Sequence, residues 1–201
     1  MLSFNDNNAH YLIVNSELTG SDTLKKNESG AIVLPFDGPV IYEVIRFING
    51  KGLFLEDHFR RLENSFQIEG IENPVDLAAF KEYASVLLSV NEERDCNVKI
   101  MSTGKDFVVY LSKKFYPGPA YYEKGIRTAC IQIERPSPNA KIRRSDYIER
   151  IETFKQANEI FEALLMNAEG YLTEGSKSNL FFVRRGEPGT VYTAPREMVL
   201  E

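Results

Sequence analysis

The stretch Tyr171-Leu172-Thr173-Glu174-Gly175-Ser176-Lys177-Ser178-Asn179-Leu180-Phe181-Phe182 governs the reading of the whole sequence. A glutamate stands at the mouth of a small Gly/Ser turn between two apolar runs that read as strands. Flanks of that kind put Glu174 out of free solvent. A buried carboxylate needs a cation or several donors around it. Ser176, Ser178, Asn179 and the amides near Gly175 are candidate donors, and a ligand is a candidate source of the cation.

Working outward, Lys141 lies well upstream, close behind a strand-like run. An amine and a remote carboxylate are the two groups that a pyridoxal phosphate site requires. The amine forms a Schiff base, and the carboxylate keeps the pyridine nitrogen protonated so that the ring accepts electrons. Taken alone, Lys141 reads equally as a surface lysine ahead of a helix, and Glu174 as an exposed turn residue.

Composition sets the outer limits. The protein has 201 residues, enough for one large or two small domains, and 43% of them are hydrophobic. The formal net charge is −5. No basic stripe appears, so nucleic acid is not an expected partner. No run is long enough to span a membrane, and the N-terminus lacks a basic start followed by an apolar stretch. The 2 cysteines, Cys96 and Cys130, form no metal or redox motif and point to a reducing, cytoplasmic setting. With only 2 histidines, His10 and His58, there is little material for a metal centre or a Ser-His-Asp arrangement. No metal is expected.

Strand patterns dominate. Residues 10–14 read as a strand, 19–30 as a polar loop, and 40–48 as an alternating strand. Asn49-Gly50-Lys51-Gly52 makes a hairpin turn, and Leu53–Leu55 returns as the second arm. Asp57 is placed to cap a helix with Phe59, Leu62 and Phe66 on one face, and Asp76 to cap another with Leu77, Phe80, Ala84, Leu87 and Leu88 inward. Strands follow at 97–102 and 107–111. The Pro/Gly-rich stretch 113–125 reads as an interdomain linker. Beyond it come a strand at 126–133, a helix capped by Ser145, and strands near 163–167, 170–173, 179–183 and 191–193. The result is a two-domain α+β arrangement, with 1–112 before the linker and 126–201 after it.

The segment Glu162–Phe182 (EALLMNAEGYLTEGSKSNLFF) resembles the signature of the class IV aminotransferases, the fold type IV pyridoxal phosphate enzymes. That family holds branched-chain aminotransferases, D-amino acid aminotransferases and aminodeoxychorismate lyase. A second block resembles it upstream: Ile41-Tyr42-Glu43-Val44-Ile45-Arg46, then Leu53–Ser65 with its His58-x-x-Arg61-Leu62 pattern. The two blocks stand in family order.

The resemblance implies pyridoxal 5'-phosphate as cofactor and Lys141 as the Schiff-base lysine. It implies Arg61 as the phosphate clamp and Glu174 as the partner of the pyridine nitrogen. Ser176, Ser178 and Asn179 become secondary cofactor contacts, although such residues also serve simply to satisfy a turn backbone. Tyr147 becomes a ring contact, displaced by a position or more from where many relatives carry it. Tyr42 is expected on the substrate side of its strand, where a core tyrosine is the competing reading, with Glu43 facing the other way. His58 is expected to cap or pack.

D-amino acid enzymes of this family carry an arginine at the position of Thr103. Threonine makes no bidentate pair with a carboxylate, so Thr103 points to a branched-chain-like substrate site, with Lys99 and Lys105 as flanking cations. The implied reaction moves an amino group between an amino acid and a 2-oxo acid, in a homodimer. Pyruvate-releasing aminodeoxychorismate lyase activity uses the same residues. Pro195–Leu200 resembles the family run that precedes a Gly-Ile-Thr-Arg phosphate loop. The second domain is therefore expected to be incomplete, with the polypeptide truncated at its C-terminal end. An inactive fragment and a non-covalent small-molecule binder are the readings from other classes.

Overall fold

The computed structural model describes residues 1–200 except Pro136 and Pro138. The expected end of the second domain at Glu201 lies outside the described residues. The protein forms two compact units: Met1–Phe115 with Ala140–Arg143, and Tyr116–Asn139 with the part from Arg144 on.

The first unit is built on an antiparallel sheet. Its long strands are β5 (Val40–Ile48), β7 (Cys96–Ser102) and β8 (Phe107–Ser112). The sheet runs β10–β5–β7–β8–β2–β3, with β2 at Tyr11–Val14, β3 at Glu17–Gly20 and β10 at Ile142–Arg143; β6 (Lys51–Gly52) pairs with β5. Along β5, inward Ile41, Glu43, Ile45 and Phe47 alternate with half-buried residues, as a two-residue period requires. Every residue of β8 is buried, because both faces of the sheet are covered.

One face packs under two helices, α1 (Leu55–Glu69) and α2 (Leu77–Val90). Phe59, Leu62 and Phe66 of α1 and Phe80, Ala84 and Leu87 of α2 meet Ile41, Ile45, Val98, Ile100 and Val109 there. The other face is closed by a two-stranded ribbon, β1 (Leu2–Phe4) with β4 (Ile32–Leu34). Its Leu2, Phe4, Ile32 and Leu34 cover Met101, Val108 and Tyr110, and Phe4 stacks on Tyr110 at 4.5 Å between centroids.

Several local expectations are corrected. Leu53 and Phe54 do not return as a strand: β6 ends at Gly52, and α1 already begins at Leu55. Phe54 precedes the helix with φ 47° and supplies no capping hydrogen bond; Asp57 lies in the first turn and pairs with Arg60. Asp76 does cap α2, accepting from the Ala79 amide at 2.8 Å. Residues 19–20, read as loop, end β3.

The second unit is a smaller three-stranded sheet in the order β12–β11–β9, with β9 at Thr128–Gln132, β11 at Glu162–Met166 and β12 at Leu172–Gly175. β9 and β11 are parallel, β11 and β12 antiparallel. Helix α4 (Ser145–Ala157) lies between β9 and β11 in sequence, and Tyr147 and Ile151 pack on Ile133, Ala163 and Leu165. Arg144, not Ser145, occupies the cap position, and its guanidinium makes no capping bond. Short helix α3 (Pro119–Lys124) occupies part of the segment read as a linker, starting with proline at its first position as its fixed φ favours. β13 (Phe182–Val183) and β14 (Val191–Tyr192) pair as a short hairpin. Among the described residues no helix is long and apolar enough to cross a membrane.

Phe80 is fully buried and tilts against Phe59 with ring centroids 6.0 Å apart. Phe80→Ala should therefore cost about 3–5 kcal/mol of stability, read as a lowered midpoint in urea unfolding.

Candidate functional site

The first unit gathers its chemistry around Glu43. This carboxylate is fully buried on the helix-facing side of β5. Arg61, one turn into α1 after His58, reaches it as a fork: Nε donates to Oε2 at 2.8 Å and Nη2 to Oε1 at 2.8 Å. Lys141 Nζ donates to Oε1 at 3.1 Å, and the Val44 amide donates to the same oxygen at 2.8 Å. His58 Nδ1 lies 3.3 Å from Oε1 and 3.1 Å from Arg61 Nη2. A guanidinium only donates, so the Arg61 contact belongs to an unprotonated Nδ1 and the Glu43 contact to a protonated one.

Burial alone would raise the pKa of Glu43. Hydrogen bonds from His58 and Arg61 and the charges of Lys141 and Arg61 outweigh it and hold the carboxyl well below the usual glutamate range.

The backbone at Lys141 is fixed as firmly as its amine. Its amide donates to Ser65 Oγ at 3.0 Å, while the Ser65 hydroxyl donates to the Arg61 carbonyl at 2.8 Å. Its carbonyl accepts from the Tyr42 amide at 3.1 Å, where β10 joins β5. One buried hydroxyl thus ties the helix that carries Arg61 to Lys141, just ahead of β10. Tyr42, half-buried on the opposite face of β5, has Lys141 Nζ 5.4 Å and Lys99 Nζ 5.6 Å from its ring centroid, within cation–π range.

Lys99 is itself paired with Asp6 at 2.8 Å, and Tyr110 donates to the same carboxylate at 2.6 Å. Burial works to raise the pKa of Asp6, and the Lys99 charge and these two hydrogen bonds bring it below its ordinary value. The Thr103 hydroxyl is engaged within its own turn, accepting from the Asp106 amide at 3.3 Å.

The second unit holds the other expected residues. Glu174, in β12, is 4% exposed and accepts from Arg135 Nε at 2.6 Å. The buried carboxylate therefore has a protein cation as partner. Arg135 also lies over the Tyr147 ring, 5.4 Å from its centroid. Ser178 and Asn179 are exposed, and the Ser178 hydroxyl approaches Glu162 Oε1 at 3.4 Å. Among the described residues, Ser176 Oγ is buried without a hydrogen-bond partner. A buried hydroxyl in that condition calls for a partner such as a water or a ligand oxygen. Among the described residues, no cluster of three or more His, Cys, Asp and Glu side chains could hold a metal.

The structure thus brings Lys141, Arg61 and Tyr42 together in one unit, and Glu174, Tyr147 and Ser176 in the other. Sequence reasoning missed Glu43, Ser65 and Arg135. Glu43 was detectable: a charge at an inward position among Ile41, Ile45 and Phe47 demands buried partners. His58, expected only to cap or pack, touches both Glu43 and Arg61.

The Amino-transferase class IV family profile matches residues 40–201. The protein belongs to that family. Among its relatives, a probable branched-chain-amino-acid aminotransferase of Rickettsia bellii is 24% identical over 92% of this sequence and 68% of its own. A putative one of Methanocaldococcus jannaschii is 25% identical over 80% of this sequence and 63% of its own. Of solved structures, the Escherichia coli branched-chain amino acid aminotransferase superimposes with a TM-score of 0.76 at 18% identity, over 96% of this protein and 70% of that one. The Thermobaculum terrenum enzyme, in its PLP-form, gives 0.72 at 20% identity over 98% and 70%. These likenesses show the fold, a fold type IV α+β architecture of which the protein spans about two thirds of its relatives' length.

Each unit by itself holds groups of kinds that pyridoxal phosphate chemistry uses: an amine and a guanidinium in the first, a buried acid and a buried hydroxyl in the second. Arg61 directs Nε and Nη2 to Glu43.

Removing the shared carboxylate leaves Arg61 and Lys141 partly buried without it. Glu43→Ala should cost about 3–5 kcal/mol in chemical unfolding. The depressed pKa of Glu43 also sets a pH dependence. The unfolded protein binds this proton near 4.5 and the folded protein only at lower pH. The advantage of wild type over Glu43→Gln should therefore be complete above that value and shrink as pH falls below it, measured by unfolding both at pH 7 and at pH 3.

Proposed function

We propose that this protein is a pyridoxal 5'-phosphate-dependent aminotransferase that exchanges an amino group between a branched-chain-like amino acid and a 2-oxo acid, with Lys141 as its catalytic lysine. The observation that carries the reading is the shared Glu43 carboxylate, which holds an amine and a guanidinium at 3.1 and 2.8 Å from one oxygen. A covalent anchor for an aldehyde and a cation for a phosphate are the pair of groups this cofactor asks for. When bound, the cofactor supplies an electron sink for charge developing at the substrate Cα.

Each residue then has a defined task. Lys141 would hold the cofactor through its amine and, as a free amine, would take up or deliver the proton at the substrate Cα. Glu43 and Ser65 keep that amine and its backbone in place throughout. Arg61 meets the phosphate. Glu174, a buried carboxylate, would hold the pyridine nitrogen protonated. Tyr147 faces the ring, Ser176 offers its unused hydroxyl, and Ser178 and Asn179 line the turn. Tyr42 and Thr103 border the substrate. The reading includes a cytoplasmic homodimer, for which sedimentation velocity is the direct check.

Borohydride reduction after addition of pyridoxal phosphate, followed by peptide mapping, should place a pyridoxyl label on Lys141, and Lys141→Ala should carry none. The same variant should lose turnover by about 100- to 10,000-fold. An unlabelled wild-type protein would sink the assignment. Stoichiometric consumption of amino acid and 2-oxo acid separates transamination from pyruvate-releasing lyase activity, which needs no amino donor.

A further inference from the structure

Glu162 opens the signature stretch yet has no task in the reaction just described. It is the first residue of β11 and only 6% exposed. Among the described residues it takes part in no ion pair. Its Oε1 accepts instead from the Lys177 amide at 2.9 Å and from Ser178 Oγ at 3.4 Å. Both donors belong to the turn that follows Glu174.

The turn is folded around that oxygen. The Gly175 amide donates to the Ser178 carbonyl at 2.7 Å, and the Ser176 amide to the Ala163 carbonyl at 2.9 Å. A side chain at position 175 would have its Cβ 2.7 Å from Glu162 Oε1 and 2.2 Å from Ser178 Oγ. Only glycine therefore lets the carboxylate reach the turn. A buried carboxyl group without an ion-pair partner is an expensive way to close a turn that a serine or asparagine closes readily. Its position says what it is for: the pinned backbone carries the buried Glu174 on one side of Gly175 and the orphaned Ser176 hydroxyl on the other.

We infer that Glu162 is a positioning residue for the cofactor-facing turn, fixing through the Lys177 amide where Glu174 and Ser176 present their oxygens. The inference rests on the cofactor role proposed for Glu174. Glu162 touches neither cofactor nor substrate; it acts through the turn. The essential property is an acceptor oxygen at that depth, so glutamine replaces it and alanine does not.

The test compares Glu162→Gln and Glu162→Ala with wild type in the full-length protein, by amide hydrogen exchange and by titration with pyridoxal phosphate followed through its visible band across pH. Glu162→Ala should speed exchange at the Lys177 amide by about tenfold while β9 amides stay as protected as before. It should also weaken cofactor affinity by about tenfold and displace the pH profile of the bound band, since a shifted Glu174 holds the ring proton less well. Glu162→Gln should restore all three. Should the alanine variant fail to fold, Glu162→Asp, one methylene short of the turn, serves in its place.

Unchanged exchange at Lys177 overturns the inference. So does a loosened turn that still binds cofactor with wild-type affinity and band profile, which would leave Glu162 a purely structural residue. Failure of wild type to take a reducible label on Lys141 overturns the functional reading itself. The exchange rates would then still decide whether Glu162 pins the turn.

Discussion

A carboxylate buried in the middle of a strand has to be answered by its surroundings, and Glu43 organises the first unit in that way. Its two oxygens take an arginine fork, a lysine amine, a backbone amide and a histidine contact. The charged partners arrive on two separate pieces of polypeptide: α1 brings Arg61 and His58, and Lys141 stands just ahead of β10. The helix angle over the sheet and the docking of β10 at the sheet edge must both satisfy the same group. A buried charge left unmatched costs several kcal/mol, so the geometry has little freedom. The Lys141 amine is thereby held by an interaction that also belongs to the core.

The two units treat their acids differently. Glu43 is answered by several partners at once, whereas Glu174 takes the Arg135 guanidinium at 2.6 Å and the Leu200 amide at 3.4 Å. Arg135 also stacks over Tyr147, so guanidinium, ring and carboxylate form one packed group.

Much of this was readable from residue patterns. Strand β5 and helices α1 and α2 follow from period-two and helical spacing, and Asp76 announces a start by its chemistry. The ribbon strands β1 and β4 span only three residues each, too few for a period to show. The two-residue β10 leaves no pattern at all. The return arm at Leu53–Leu55 was misread because apolar residues after a hairpin turn suit a strand or a helix start equally. Glu174 is singled out by the turn and signature that surround it, and Lys141 only by its place behind a strand-like run and by the family resemblance. Glu43, Ser65 and Arg135 were missed because their meaning lies in partners far away in sequence. Strand alternation turned Glu43 away from Tyr42 correctly; what it could not show is that Lys141 reaches both residues around the sheet edge.

The path of the polypeptide has a further consequence. It leaves the first unit after Phe115, comes back only for Ala140–Arg143, and leaves again. The sheet whose other strands are complete by Ser112 therefore waits for its edge strand until the ribosome has made residue 143. Closing such a long loop onto a two-residue strand is entropically demanding. During synthesis the buried Glu43 would meet Arg61 early and Lys141 late. Cutting the gene at the apparent border of the first unit would yield a body that keeps most of its core but lacks Ala140, Ile142 and the Lys141 amine. Where the polypeptide is divisible as a folded object and where it is divisible as a chemical one are different places.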